Sequence, residues 1–102
     1  MIVVIATIEV NDGRRDAFLA EFHRIVPLVR AEAGCREYFP TVDAAAELGV
    51  PTALRPDVVT VVEKWDTLDA LRAHLGASHM IEYRVRVKDL VKSVKLQILQ
   101  PA

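Results

Sequence analysis

The sequence predicts an α+β domain of the ferredoxin-like split β-α-β kind, a four-stranded antiparallel sheet with helices on one face. Three observations lead to it. Runs dense in β-branched residues open the chain, recur in its middle and close it. Amphipathic helical patterns lie between these runs. The resulting order, β-α-β-β-α-α-β, is that of the split arrangement, over residues 1–102 as a single domain.

The first strand is "MIVVIATIEV". Val3, Ile5, Thr7 and Glu9 share one face and Ile2, Val4, Ala6 and Ile8 the other, so both faces are largely apolar. Asn11 or Asp12 is expected to cap the first helix. Its stripe is Phe18, Phe22, Ile25 and Val29, and Gly34 stops it after about Ala33. Pro27 lies inside that pattern and predicts a kink, because it lacks a backbone donor and crowds the carbonyl of His23. "CREYFPTVD" reads as the second strand, and Ala44 to Asp57 as a long hairpin or mobile loop. The third strand, Val58 to Trp65, is again apolar on both faces for most of its length. Asp66 is expected to cap a short helix, with Asp69 three residues on, a stripe of Leu68, Leu71 and Leu75, and Gly76 as its end. Ser78 caps a further helix, His79 to Val91, and "SVKLQIL" is the last strand.

Composition excludes several functions. The 102 residues are 52% hydrophobic and carry 14 acidic against 13 basic side chains, a net charge of −1, so no basic surface for nucleic acid is indicated. No run reaches the roughly 18 apolar residues of a membrane span. Met1 to Ile8 lacks the basic lead and cleavage site of a signal peptide, and the single Cys35 has no internal disulfide partner, so a cytoplasmic location is expected. Helices in this fold cover one sheet face only, so strands apolar on both faces predict a homodimer. Two sheets meeting face to face would enclose an apolar space between subunits for a small ring-shaped ligand.

The chemistry-bearing residues each have two readings. His74 is either a general base, since imidazole titrates near neutrality, or a residue that caps the C-terminal end of its helix. His74 and His79 lie about 140° apart on a continuous helix, which is not a zinc-sharing pair, so no metal is expected. Glu63 and Trp65 share a strand face. They are either a carboxylate beside an aromatic wall of a substrate pocket, or a core tryptophan next to a carboxylate satisfied by Arg or Lys. Tyr38 and Tyr83 can bond a substrate oxygen or any buried partner. Arg84, Arg86 and Lys88 read as a solvated helix face, and Cys35 as structural. Glycine-rich phosphate loops and the G-x-S-x-G elbow are missing from the sequence, so neither a nucleotide cofactor nor hydrolysis is indicated.

Four segments carry a resemblance that spans nearly the whole chain. They are "VIA.I" in the first strand, "IVP.V..E.GC..Y.P.VD" from Ile25 to Asp43, the stretch from Val62 to Tyr83 with Glu63, Trp65, His74, His79 and Met80, and the closing "ILQP". Together they resemble the antibiotic-biosynthesis-monooxygenase superfamily of small dimeric α/β-barrel proteins, and most closely its bacterial quinol monooxygenases. That resemblance implies oxygenation of a quinol or similar small phenol by O₂ with no bound flavin, haem or metal. It implies His74 as the candidate base, with Trp65 shaping the pocket and Tyr38 or Tyr83 orienting the ring oxygens; Glu63 and Arg84 join them as candidate substrate-binding residues. Haem-degrading relatives place an Asn, a Trp and a His where this chain aligns Ala6, His74 and Arg84, so haem cleavage is not implied. Two alternatives accompany the reading: a dimer that binds quinones without turnover, for instance in a stress response, and an isomerase of a small phosphorylated signal molecule.

Overall fold

The β-branched run Ile2–Val10 forms β1, one of the two inner strands of the sheet, and the computed structural model describes residues 1–102 around it. In chain order follow α1 (Arg15–Arg30), β2 (Cys35–Thr41), β3 (Val58–Trp65), α2 (Leu68–Leu75), α3 (Ser78–Val87) and β4 (Val91–Leu99). The sheet order is β2-β3-β1-β4, antiparallel throughout. This is the predicted ferredoxin-like sheet.

Register decides which residues face the helices. Val4, Ala6 and Ile8 on β1 pair with Glu63, Val61 and Val59 on β3, and Tyr38 on β2 pairs with Glu63. All of these are buried under the helices. Helix α1 adds Phe18, Phe22, Ile25 and Val29, the predicted stripe, each at most 1% exposed. Burial of such side chains contributes roughly 1.5–3 kcal/mol apiece. The opposite sheet face carries Ile5, Val62 and Phe39 side by side in register, half-buried and without a helix over them. Inner-face residues of β4 pair with the same β1 positions, Val94 with Ile8 and Leu96 with Ala6, yet remain 54% and 49% exposed, because the helices do not reach this edge.

Several expected boundaries move, each for a local reason. Asn11 does not cap α1; its side chain bonds the carbonyl of Asp89 and its backbone N–H that of Leu90, tying the strand end to the α3–β4 turn. Asp57 takes the N–H of Gly13, which turns at φ 72°, and the helix starts at Arg15 without a side-chain cap. The helix runs through Pro27 as one element and ends at Arg30, short of Ala33. Thr67, not Asp66, caps α2 by accepting the N–H of Ala70 at 3.1 Å, and Asp66 pairs with Arg36 instead. Ser78 makes no cap bond, and α3 stops at Val87, so β4 begins at Val91. The segment 42–57 has no strand or helix; Arg55 closes its base by gripping both carboxylate oxygens of Asp43 at 2.7 and 2.8 Å.

The buried face of α2 also differs from the leucine stripe expected. Leu68 and Leu75 are exposed, at 52% and 41%, while Leu71 and His74 point inward. A histidine therefore occupies the core-facing end of this helix.

Candidate active site

Between the inner sheet face and helices α2 and α3 lies a cavity of about 450 Å³, within the range that holds a small ligand. Ala6, Ile8 and Val61 form its floor, Leu96 and Val94 its β4 side, and Met80 and Tyr83 part of its roof. The space belongs to one chain and sits on the helix side of the sheet. It is not the gap between two facing sheets that strand patterning led us to expect: the helices span β2, β3 and β1, and the uncovered flank over β4 leaves room inside the protomer.

His74, 2% exposed, lines one end of this cavity. Its Nδ1 lies 2.9 Å from Oε2 of Glu32, in the turn between α1 and β2. A carboxylate oxygen only accepts, so Nδ1 carries the proton and Nε2 keeps its lone pair. Nε2 has no partner in the protein, yet the chain has no sealed side-chain nitrogen or oxygen without one, so this atom opens to the cavity. Burial holds the imidazole below its ordinary titration range, partly offset by the hydrogen bond and charge of Glu32. The result is an oriented imidazole, held back from protonation, at the end of an apolar chamber.

The backbone explains why Glu32 reaches it. Gly34 takes φ 81°, and its carbonyl accepts the N–H of Asp66 at 2.8 Å, which pins the turn against the start of α2. A Cβ on Gly34 would lie 2.6 Å from Cβ of Ala70. Only glycine permits that approach. His79 Nε2 lies 2.8 Å from the same Glu32 oxygen. The helix ends at Gly76 as expected and the chain restarts at α3, so the continuous-helix angle does not apply and both imidazoles turn toward one carboxylate. Ligand atoms of Glu32, His74 and His79 all fall within 4.8 Å of one another, and these are the residues able to hold a cation.

Glu63 and Trp65 meet as their shared strand face predicts: Nε1–H of Trp65 donates to Oε1 of Glu63 at 3.0 Å. Neither Arg nor Lys satisfies this carboxyl. Glu63 is 6% exposed and lines the cavity, and burial raises it to about 7, opposed by the indole N–H. Trp65 is fully buried and does not line the cavity. It stands behind the wall, its ring 4.7 Å from that of His74.

Tyr38 and Tyr83 both line the cavity and are both buried, which pushes their hydroxyls above the ordinary phenol range. Tyr38 stacks on Phe22 at 5.4 Å and meets the His74 ring edge-on at the same separation. Arg84 reaches the cavity's rim from the exposed side of α3 and donates to the carbonyl of Leu75 at 2.7 Å. Arg86 is engaged with Glu21 instead. Cys35 is partly buried, with a thiol held above its ordinary range, which does not make a nucleophile.

Glu32 is the residue that sequence reasoning passed over. It stands inside the segment "E.GC", but 42 residues from His74, with no periodicity to connect them.

Comparison with known proteins places the chain in a family and confirms its fold. The family model described as antibiotic biosynthesis monooxygenase matches residues 1–86. Probable quinol monooxygenase YgiN of Escherichia coli is 40% identical over 103 residues, covering 99% of this chain and 98% of its own. Its Shigella flexneri counterpart matches equally. Among solved structures, PA3566 of Pseudomonas aeruginosa superposes with a TM-score of 0.83 at 26% identity, over 99% of this chain and 93% of that one. Rv0793 of Mycobacterium tuberculosis gives 0.81 at 26% identity, over 99% of this chain and 94% of that one.

Proposed function

This chain belongs to the antibiotic biosynthesis monooxygenase family, and on that premise we propose that it is a monooxygenase oxidising a quinol or similar small phenol with O₂. The observation that carries the reading is the Glu32–His74 couple, with Nε2 of His74 open to an apolar cavity of about 450 Å³. A phenol deprotonated there becomes an electron-rich phenolate, which can itself pass an electron to dioxygen.

His74 takes the phenolic proton at Nε2, and Glu32 stabilises the imidazolium that forms. Ala6, Ile8, Val61 and Met80 hold the ring and keep water away from the reactive anion. Tyr38, Tyr83, Glu63 and Arg84 orient the ring oxygens, while Trp65 acts through its two neighbours as a positioning residue. The substrate supplies the electrons, so no flavin, haem or metal enters the scheme.

The protein acts as a homodimer in this reading. What supports it is the uncovered sheet face, where Ile5, Val62 and Phe39 form a half-buried apolar row. Each chamber would lie on the far side of its own sheet from that interface.

The test is oxygen uptake with a reduced naphthoquinone and isotopically labelled O₂, corrected for autoxidation. One labelled oxygen in the product and the other in water supports the proposal. Binding of the quinone without turnover overturns it in favour of a binding module.

A further inference from the structure

We propose that Glu63 is a second catalytic residue, the acid that protonates the outer oxygen of a substrate hydroperoxide so that the oxygen–oxygen bond breaks to water. This rests on the oxygenation reading above and assigns a step that His74 alone does not perform.

The argument begins with what surrounds the carboxyl. Glu63 lies in the middle of β3, between Val4 of β1 and Tyr38 of β2. Its one side-chain partner is the indole N–H of Trp65, on Oε1. The other oxygen takes no bond from the protein and is not sealed in, so it addresses the cavity that Glu63 lines. The titratable groups packed nearest are Tyr38 from β2, His74 from α2, Tyr83 from α3 and, farther off, Glu32. None is a fixed cation. Two cations line the same cavity, Arg84, which donates to the carbonyl of Leu75, and Lys88, and neither bonds Glu63; Lys64 is engaged with Glu37 and Arg30 with the carbonyl of Tyr38. A carboxyl buried without a counter-ion holds its proton, in keeping with its titration at about 7.

One indole fixes the spacing of two oppositely tuned groups. Trp65 packs its ring on His74 and gives its N–H to Glu63. Burial lowers His74 and raises Glu63 to about 7, so near neutral pH a base held back from protonation faces a carboxyl that keeps its proton in about half the molecules, and in more of them as pH falls.

The chemistry then balances. His74 removes a quinol O–H proton; the ring carbon forms a C–O bond with O₂, and that proton returns to the peroxide anion. Glu63 gives its proton to the outer oxygen, the O–O electron pair leaves with it, and water departs. The C–H bond at the same carbon breaks, its electrons form C=O, and its proton restores the Glu63 carboxyl. A quinol and O₂ thus become a hydroxyquinone and water, the quinol being oxidised and both oxygen atoms reduced without an outside donor.

The experiment is Glu63→Gln, which keeps an acceptor for Trp65 but has no proton to give. With a reduced naphthoquinone, the variant should still consume O₂ but release hydrogen peroxide, with hydroxylated product per O₂ falling at least about tenfold. Wild type read alone should show the same leak growing as pH passes about 7, which keeps the test open if the variant fails to fold. A variant that keeps the wild-type ratio of product to O₂, or a wild-type ratio flat across that range, overturns the assignment of Glu63 alone. Wild type that consumes no O₂ above autoxidation overturns the oxygenation reading as well.

Discussion

Oε2 of Glu32 lies 2.9 Å from Nδ1 of His74, joining a turn after the first helix to the last turn of the second. The contact fixes the tautomer of a buried imidazole and leaves its other nitrogen without a protein partner.

Replacing His74 by Ala should lower quinol-dependent oxygen uptake by about 10²-fold or more, the usual contribution of a positioned base. Oxygen uptake at saturating quinol checks this, with circular dichroism to show a retained fold. An unchanged rate would remove His74 from the mechanism.

Glu32→Gln should cost about 10–100-fold in kcat/KM. It should also move the acid limb of the pH profile. Glu32 raises the His74 pKa, so removing its charge lowers that pKa further, and the base stays neutral to lower pH. A pH–rate series on both proteins reads the shift; a limb displaced upward would contradict the assigned pairing.

Glu63 should make the fold itself pH-dependent. Its folded value of about 7 lies above the ordinary 4.5. The folded chain therefore keeps a proton that the unfolded chain releases between these values, and stability falls as pH climbs through that window. The difference corresponds to at most roughly 3 kcal/mol. His74 acts in the opposite sense, its contribution being present above 6.5 and lost as pH falls. Urea denaturation of wild type against Glu63→Gln across the window isolates the carboxyl: the variant should gain on wild type as pH rises.

Dimerisation through the uncovered sheet face predicts that sedimentation finds a dimer of wild type and a monomer of Ile5→Lys combined with Val62→Lys. These positions are cross-strand neighbours, so two like charges there oppose both the partner and each other. The chamber lies on the opposite face, and a quinone should still bind the monomer; lost affinity would show that the partner completes the site.

The strands were legible in the sequence because their β-branched runs and alternation are local: spacing alone groups Val4, Ala6 and Ile8 on one face, which the structure buries. Helix ends were less so. Asn11 and Asp66 are good caps by residue type, but each is drawn to a partner distant in sequence, Asp89 and Arg36. The chamber was expected between subunits because apolarity on two strand faces does not reveal which face the helices fail to fill. His74 could be singled out, but its carboxylate could not, since a turn residue 42 positions away leaves no periodic trace.

Gly34 gives that arrangement an unusual vulnerability. The space a methyl would occupy there is already taken by Ala70, so the distance between His74 and Glu32 is inherited from backbone packing. A mutational scan should therefore find no gradation at this corner. Substitutions at Gly34 would lose fold and turnover in one step, while exchanges at Glu32 would dim the reaction and leave the protein standing.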